Sequence, residues 1–440
     1  MKDETAAKYS PSAAAKKIPA FKVGGMWLWT RPLTLRGGCP MWSALGWDRL
    51  YRNRFPCGCG EADARNEMIA ASTPETVAAK PSRLHRRPQV TLDEALAGGF
   101  DEWIDVRSPG EFALDHVPGA VNCPVLDDEE RARVGTLYKQ VSPFEARRLG
   151  GALVAANIAR HMRERFADKP RGWRPLVYCW RGGERSGAMT TWLRLVGWDA
   201  RQLVGGYKSW RRKVAHDLQE WPGRFRWRVI CGATGSGKTR LLGALRQAGE
   251  QVLDLEGLAC HRGSVLGALP DVAQPSQKRF ESLIYETLQG FDAQRTVYVE
   301  AESRKIGALF LPDALLAAMR AAPCAEIQAT EQARLQLLLE DYGWFQEQRR
   351  ALVEKLGHLK KVQSGERIAR WQQWAQEGAL APLFAELLQL HYDPLYRRSQ
   401  GKNFAGMGSA LALRADTLDA DGLAAMVAQL QRAQDVLPAA

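Results

Sequence analysis

"GATGSGKT", Gly232 to Thr239, restricts the folding of this chain more than any other stretch. It fits G-x4-G-K-S/T in full. The preceding "WRVIC" is strand-like, and the following "RLLGALRQAG" has the 3.6-residue period of a helix. A strand that turns through glycines into a helix belongs in a parallel sheet with helical crossovers. Gly232, Gly235 and Gly237 let backbone N–H groups turn inward around a phosphate, and the helix N-terminus adds favourable partial charge. Lys238 can reach terminal phosphate oxygens, and Thr239 can hold Mg²⁺. The motif does not say what bears the phosphate.

Further strand-like runs follow: "QVLDLEG", "RTVYVEAE", "CAEIQAT" and "ALALRAD". Ligands of open parallel sheets sit beyond the carboxyl ends of strands. Asp254, Glu256, Glu300 and Glu302 end two of these runs, which makes them candidates for substrate or Mg²⁺ contacts; for any one of them, ordinary surface termination explains the position as well. From 340 to 390 the pattern is helical and charged, which predicts a helical insertion. Ahead of the loop, "EWIDV", "PLVYC" and "RQLVGG" alternate with helical patterns, so a second parallel-sheet domain is expected at 89–216 and the phosphate-loop domain at 217–440.

Residues 1–88 show no sustained period and are predicted to be a disordered extension. They hold 15 Lys and Arg against 7 Asp and Glu, so +8 of the net charge of +12 resides there. A polyanionic partner such as nucleic acid fits that charge, and so does a plain basic tail. Eight cysteines in 440 residues form no disulfide scaffold. Cys57 and Cys59 are the only close pair and lack partners at zinc spacing, so no structural metal is expected. No apolar run reaches the roughly 18–20 residues of a membrane span, and the start lacks the order of a secretory signal. A cytoplasmic protein without membrane contact is expected.

The other chemical stretch is "VYCWRGGERSGAM", residues 177 to 189. It places Cys179 at a strand end, facing the start of a helix. Helix-end N–H groups, Arg181 and Arg185 would lower the thiol pKa and stabilise an anion on the sulfur. Cys179 to Ser186 fits both C-x5-R-S/T of cysteine phosphatases and the sulfur-carrying loop of rhodaneses. "IDVRSPGEFALDHVPGAVNCP" (Ile104 to Pro124) and "LVGGYKSW" (Leu203 to Trp210) resemble the opening and closing segments of rhodanese domains. That resemblance adds Asp105 and Arg107 to the catalytic candidates. Asp115 stands where rhodanese domains usually carry Gly, a change expected to affect a turn. The loop from Cys179 to Arg185 is longer than the usual rhodanese loop, which suits a bulkier anion.

The fold class is therefore α/β, a rhodanese-like parallel-sheet domain followed by a P-loop NTPase-like domain with a helical insertion. With "GTLYKQVSPFEARRLGG" (Gly135–Gly151), "DLEGLACHRGS" (Asp254–Ser264), "VEAESRKIG" (Val299–Gly307) and "HYDPLY" (His391–Tyr396), the chain from about 90 to 435 resembles bacterial tRNA 2-selenouridine synthases. The resemblance implies a transferase with a two-step reaction on wobble 2-thiouridine in a tRNA anticodon loop. The sulfur is geranylated from geranyl diphosphate, and selenium from selenophosphate then replaces the S-geranyl group. It implies that Cys179 carries selenium as a selenyl-cysteine, and that an enzyme producing selenophosphate is a possible partner. Arg262 and Arg304, within the matching motifs, join the substrate candidates. Mg²⁺ is compatible, Glu300 and Glu302 compete as its ligand, and ATP stays open. A cysteine-dependent sulfurtransferase or phosphatase coupled to an NTPase is the alternative.

For RNA, basic residues interleaved with aromatics are the expected contacts, because unstacked bases prefer both. "GGYKSWRRK" (Gly205–Lys213) and "WPGRFRWR" (Trp221–Arg228) have this pattern at the domain junction, as does "HYDPLYRR" (His391–Arg398). The candidates are Lys208, Arg211, Arg212, Lys213, Tyr392 and Arg397. A junction whose aromatics anchor into each domain has the same sequence appearance.

Overall fold

The computed structural model describes residues 88–434 apart from 265 and 415, and no side chains at 399–402 or 434. The expected extension, with Cys57 and Cys59, lies outside the described residues except for Pro88.

Two five-stranded parallel sheets form the frame. The first contains β1 (Gln89–Val90), β2 (Glu102–Asp105), β3 (Val121–Asn122), β4 (Pro175–Tyr178) and β5 (Arg201–Leu203), ordered β1-β5-β4-β2-β3. The second contains β6 (Arg226–Cys231), β7 (Gln251–Leu253) and β8 (Thr296–Glu300). After a small hairpin of β9 (Lys305–Ile306) and β10 (Leu309–Phe310), it is completed by β11 (Pro323–Gln328) and β12 (Gly406–Arg414). Its order is β12-β11-β6-β8-β7. The central strands β4 and β6 are buried over nearly their whole length, as expected of strands covered on both faces.

The helices that matter for the site are α1 (Glu184–Val196), α2 (Gly206–Glu220), α3 (Lys238–Gln247) and α4 (Gln277–Gln289). Between β11 and β12 come α5 (Glu331–Asp341), α6 (Arg349–Gly357), α7 (Gly365–Glu377), α8 (Leu380–Leu387) and α9 (Asp393–Asn403). The helical insertion thus runs from 331 to 403, wider than the expected 340–390. The expected boundary between 216 and 217 falls inside α2. That helix cannot end there, because Asp217 and Leu218 are buried on its inner face.

One hydrophobic core crosses this junction. It includes Leu176, Tyr178, Tyr207 and Trp210 from the first sheet's side and Trp227, Val229, Phe280 and Tyr285 from the second. Trp210 meets Tyr285 edge to face at 5.2 Å, and Trp221 stacks on Tyr285 at 4.8 Å. Aromatic pairs in these geometries add about 0.5–1.5 kcal/mol each beyond their burial. The junction aromatics Tyr207, Trp210 and Trp227 are therefore anchors into the shared core, as one of the two readings of these segments expects, while Lys208 and Arg212 between them stay exposed.

Asp115 is a further correction. It is 1% exposed and accepts hydrogen bonds from Tyr207 Oη at 2.6 Å and Ser282 Oγ at 3.1 Å. Ser282 lies on α4, so this carboxylate ties the two sheets together instead of merely shaping a turn. Burial raises its pKa, opposed by Tyr207 and the Arg211 charge.

Candidate functional site: a thiol cradle and a phosphate loop

β4 ends in a loop that presents Cys179 to the start of α1. The Gly183 amide and the Ser186 hydroxyl donate to Cys179 Sγ at 3.3 and 3.2 Å. Gln202 on β5 holds the loop from beneath, its Nε2 donating to Gly182 O at 2.8 Å and Gly183 O at 2.9 Å. The loop also seats on Gly206, whose φ is +54°; a Cβ there would come within 2.2 Å of Cys179 O. The Tyr207 amide donates to that same carbonyl at 2.8 Å. The "LVGGY" stretch is thus glycine-rich because the thiol loop lies directly against it.

Burial by itself would raise the Cys179 pKa. Hydrogen bonds from the Ser186 hydroxyl and amide, the Arg185 charge and the Arg181 amide outweigh it and hold the thiol below the ordinary range. Cys123 in the same core lacks such donors, and burial pushes it up to about 12. The contrast separates a thiol poised as an anion from an inert one. Arg185 Nη1 donates to Glu111 at 2.7 Å and acts on the sulfur through its field. Arg181 is exposed, and it is its amide that bears on the sulfur.

Asp105 and Arg107, expected among the catalytic groups, are 0% and 1% exposed. Arg107 Nε donates to both Asp105 oxygens at 3.0 and 2.9 Å, and Nη2 donates to Asp105 at 2.6 Å and to Asp115 O at 2.7 Å. Its guanidinium lies 3.9 Å from the Tyr207 ring centre. The pair clamps the segment leading to Asp115 onto the core and has no exposed face for a substrate. Arg107→Ala leaves a buried carboxylate unpaired, a loss of about 3–5 kcal/mol. Thermal unfolding should show a clearly lower midpoint, and an unchanged midpoint would contradict this clamp.

In the second sheet, Gly232, Gly235 and Gly237 have φ of 156°, 77° and 84°, and α3 starts at Lys238. Lys238 Nζ donates to Gly232 O at 2.8 Å, folded over the loop it would share with a phosphate. Thr239 Oγ1 donates to Glu256 at 3.0 Å, and the Glu256 amide donates to Glu300 Oε1 at 2.7 Å. Glu300 is 1% exposed, and its Oε2 has no partner among the described residues. Burial, followed by the charges of Asp254, Glu256 and Glu302, lifts Glu300 well above the carboxylate range. Glu302 is pushed up to about 8 by burial and the Glu256 charge, and burial raises Glu256.

These crowded oxygens fit a divalent cation, whose charge would offset the burial and mutual repulsion that raise their pKa values. Mg²⁺ prefers oxygen donors and usually takes one or two protein groups plus substrate phosphates. Thr239, Glu256 and Glu300, linked in sequence by hydrogen bonds, are groups that could hold a divalent cation, with Glu302 beside them. Asp254 caps the short helix Leu255–Ala259 through Gly257 N at 2.8 Å.

Arg262 bonds to Asp341 and lies 4.9 Å from the Tyr342 ring centre. Arg304 pairs with Asp313 at 3.2 Å in a cleft shared with Ala215 and Leu218 of α2, so it is not placed at the phosphate loop. Among the RNA candidates, Arg211 is committed to α4, through Glu281, Ser282 Oγ at 3.0 Å and Lys278 O at 3.2 Å. Lys213 pairs with Asp217 at 2.9 Å, and Tyr392 lines an internal crevice. Lys208, Arg212 and Arg397 remain exposed.

Arg334 and Asp393 were not anticipated. Arg334 is 6% exposed, donates from Nε to Thr234 O at 2.9 Å, and forms a double contact to Asp393 at 3.1 and 2.5 Å. "HYDPLY" is thereby tied to the phosphate loop. Asp393 lay within a motif already singled out, whereas Arg334 sits in an ordinary helical pattern that offers no signal.

A thiol-anion cradle of rhodanese type, sharing one core with a phosphate-loop sheet, defines the class. A rhodanese-like domain model matches residues 89–213, and a model described as the tRNA 2-selenouridine synthase AAA domain matches residues 225–408. A tRNA 2-selenouridine synthase from Nitrosomonas europaea is 37% identical over 266 residues, covering 58% of this chain and 68% of the relative. One from Alcanivorax borkumensis is 33% identical over 325 residues, covering 67% and 88%. Among solved structures, a rhodanese-related protein from Thermoplasma volcanium is 18% identical and covers 29% of this chain and 93% of its own, with a TM-score of 0.19. The chain belongs to the tRNA 2-selenouridine synthase family.

Proposed function

We propose that the chain converts wobble 2-thiouridine of tRNA into 2-selenouridine in two steps. In the first, the base's sulfur attacks carbon 1 of geranyl diphosphate, a C–S bond forms, and the C–O bond to diphosphate breaks. Lys238, the Gly232–Thr239 amides and the α3 N-terminus stabilise the departing anion. Mg²⁺ held near Thr239 would add positive charge to it. S-alkylation also makes the sulfur a better leaving group and activates carbon 2. In the second step the Cys179 thiolate attacks that carbon and the geranylthio group departs as the thiol; the selenium of selenophosphate then displaces Cys179 from carbon 2, and water takes the phosphoryl group as the Se–P bond breaks. Selenophosphate implies a separate enzyme that makes it, and a tRNA substrate implies a cytoplasmic setting. Among the described residues no helix is long and apolar enough to cross a membrane.

The observation that carries this reading is the Cys179 sulfur, enclosed yet donated two hydrogen bonds and held below the ordinary thiol pKa. Such a cradle favours an anion attached to sulfur. Lys208 and Arg212, exposed on α2, offer cations to RNA beside it; the Lys208 amide bonds to Trp180 O at 3.0 Å. The test is mass spectrometry of tRNA nucleosides from cells with and without the gene, grown with selenite. 2-Selenouridine should disappear without it, and an unchanged nucleoside profile would overturn the reading.

A further inference from the structure

Between β3 and β4 the chain forms a hairpin of two helices, Asp128–Gln140 and Pro143–Glu164, whose turn takes no part in either reactive loop. Asp127 opens the first helix: its side chain accepts from the Glu130 amide at 2.7 Å, and Glu130 accepts from the Asp127 amide at 3.0 Å. At its end the Val141 and Ser142 amides both donate to Leu137 O at 3.0 Å. Ser142 Oγ then accepts from the Phe144 amide at 3.2 Å, with Pro143 at the first position of the second helix. A Cβ on Gly150 would meet Val134 Cγ1 at 3.3 Å, so the two helices lie close together and the turn is firmly held. What this turn presents to solvent is apolar and cationic. Tyr138, Val141 and Phe144 are 53%, 68% and 70% exposed, and Lys139, Arg147 and Arg148 are exposed in the same two helix ends.

The hairpin flanks the thiol loop. Arg147 Nε lies 4.0 Å from Glu184 Oε1, and Glu184 is the first residue of α1. Arg131, on the first helix, lies 3.8 Å from Glu111, which accepts from Arg185 at 2.7 Å. A base whose carbon 2 is brought to Cys179 therefore arrives beside this turn. Phe144, Arg147 and Arg148 share one helical face, because residues three and four apart are neighbours. From Tyr138 to Arg148 there are three cations and one carboxylate, Glu145, which pairs with Arg148 at 2.6 Å. That pair is exposed to water and easily given up. Lys is depleted where proteins bind one another, whereas rings interleaved with Lys and Arg suit unstacked bases and the phosphates between them. A duplex hides the faces of its bases, so the fit is to a single-stranded loop.

We propose that this hairpin turn docks the single-stranded loop of the RNA, with Tyr138 and Phe144 as stacking faces for unstacked bases and Lys139, Arg147 and Arg148 against the phosphates. The assignment rests on the tRNA-modification reading above and gives that reaction a surface that delivers the base to Cys179. Tyr138 and Phe144 are positioning residues: they touch neighbouring bases and not the reacting carbon. Their loss weakens capture of the RNA and leaves the chemistry of bound RNA unchanged.

The test is binding of a fluorescent anticodon stem-loop, with 2-thiouridine at the wobble position, to the full chain. Anisotropy is measured over a series of salt concentrations, and nucleoside conversion is followed in parallel. Phe144→Ala should weaken binding by about tenfold, the loss of one base stack, with the salt slope unchanged. Phe144→Tyr should restore it. Replacing Lys139, Arg147 and Arg148 together with Gln should lower the slope of log affinity against log salt by about 2, at roughly 0.7 per phosphate contact. All these positions are exposed, so thermal midpoints should match the parent's. In conversion assays KM for the RNA should rise as affinity falls, while the rate at saturating RNA holds. The assignment is overturned if the parent does not bind the stem-loop, or if folded variants keep its affinity and salt slope. Variants that bind RNA as the parent does but lose association with the selenophosphate-producing enzyme, or with a second copy of the chain, would make the turn a protein interface and also overturn it. Variant-sensitive RNA binding with no 2-selenouridine formed by the parent would keep the docking turn and remove the selenation reading. Conversion by the parent, with variants indistinguishable from it, would do the reverse.

Discussion

Cys179→Ser is expected to abolish conversion of S-geranyl-2-thiouridine RNA to 2-selenouridine while geranylation continues. The substitution is nearly isosteric, and the Gly183 amide and Ser186 hydroxyl can donate to an oxygen as they do to the sulfur at 3.3 and 3.2 Å. The cradle should therefore stay intact while its chemistry is lost. A serine hydroxyl does not ionise near neutral pH and supplies no thiolate to attack carbon 2. Loss of a nucleophile that has no substitute commonly costs on the order of a thousandfold or more. Geranylation requires the diphosphate grip and a positioned base, neither of which uses the thiol. Single-turnover reactions on pre-geranylated RNA, followed by nucleoside mass spectrometry, separate the two steps. Selenation by the Ser variant at the parent's rate would refute the role of the thiol. The pH dependence has a definite sign. Because donors hold the Cys179 pKa below the ordinary range, the parent should retain its thiolate, and its selenation rate, to lower pH than an unassisted thiol allows.

Lys238→Ala should weaken geranylation by about ten- to a hundredfold, because it removes a charge-assisted contact worth roughly 1.5–3 kcal/mol. In the structure Nζ bonds to Gly232 O at 2.8 Å and Ala233 O at 3.4 Å, so it is already above the loop where a diphosphate would lie. Its charge also moderates Glu256 and Glu302, so removing it should raise both carboxyl pKa values further. Higher Mg²⁺ should then recover part of the loss. Selenation of pre-geranylated RNA, assayed separately, should change less. Equal losses in both steps would mean the loop serves something common to them, such as RNA docking, and would count against a diphosphate site.

Both loops were legible because their chemistry is local. Eight residues from Gly232 to Thr239 specify a turn, an amide cradle and a cation. In the same way, the stretch from Cys179 to Ser186 specifies a thiol at a helix start. The parallel α/β class followed from the alternation of apolar runs with helical periods, whereas the strand order came from the structure. Residue type alone could not separate Arg107, Arg211 and Arg304 from substrate-binding arginines. Arg107 was assigned by its buried partner Asp105 and Arg211 by α4, whereas Arg304 only pairs with Asp313 at an exposed position. The junction aromatics left two readings open for a related reason, since a Trp next to arginines reads the same whether it faces a base or a core.

The sequence by itself therefore determined the two reactive loops, the strands that bear them and the family to which they point. Only the tertiary structure decided how the two sheets are joined and which cations are already engaged. Asp115 meets Ser282 across 167 positions, and Arg334 meets Asp393 across 59. Such contacts leave no periodic trace along the chain. They exist because buried charges must find partners once burial has removed water, and the identity of the partner depends on which elements pack together.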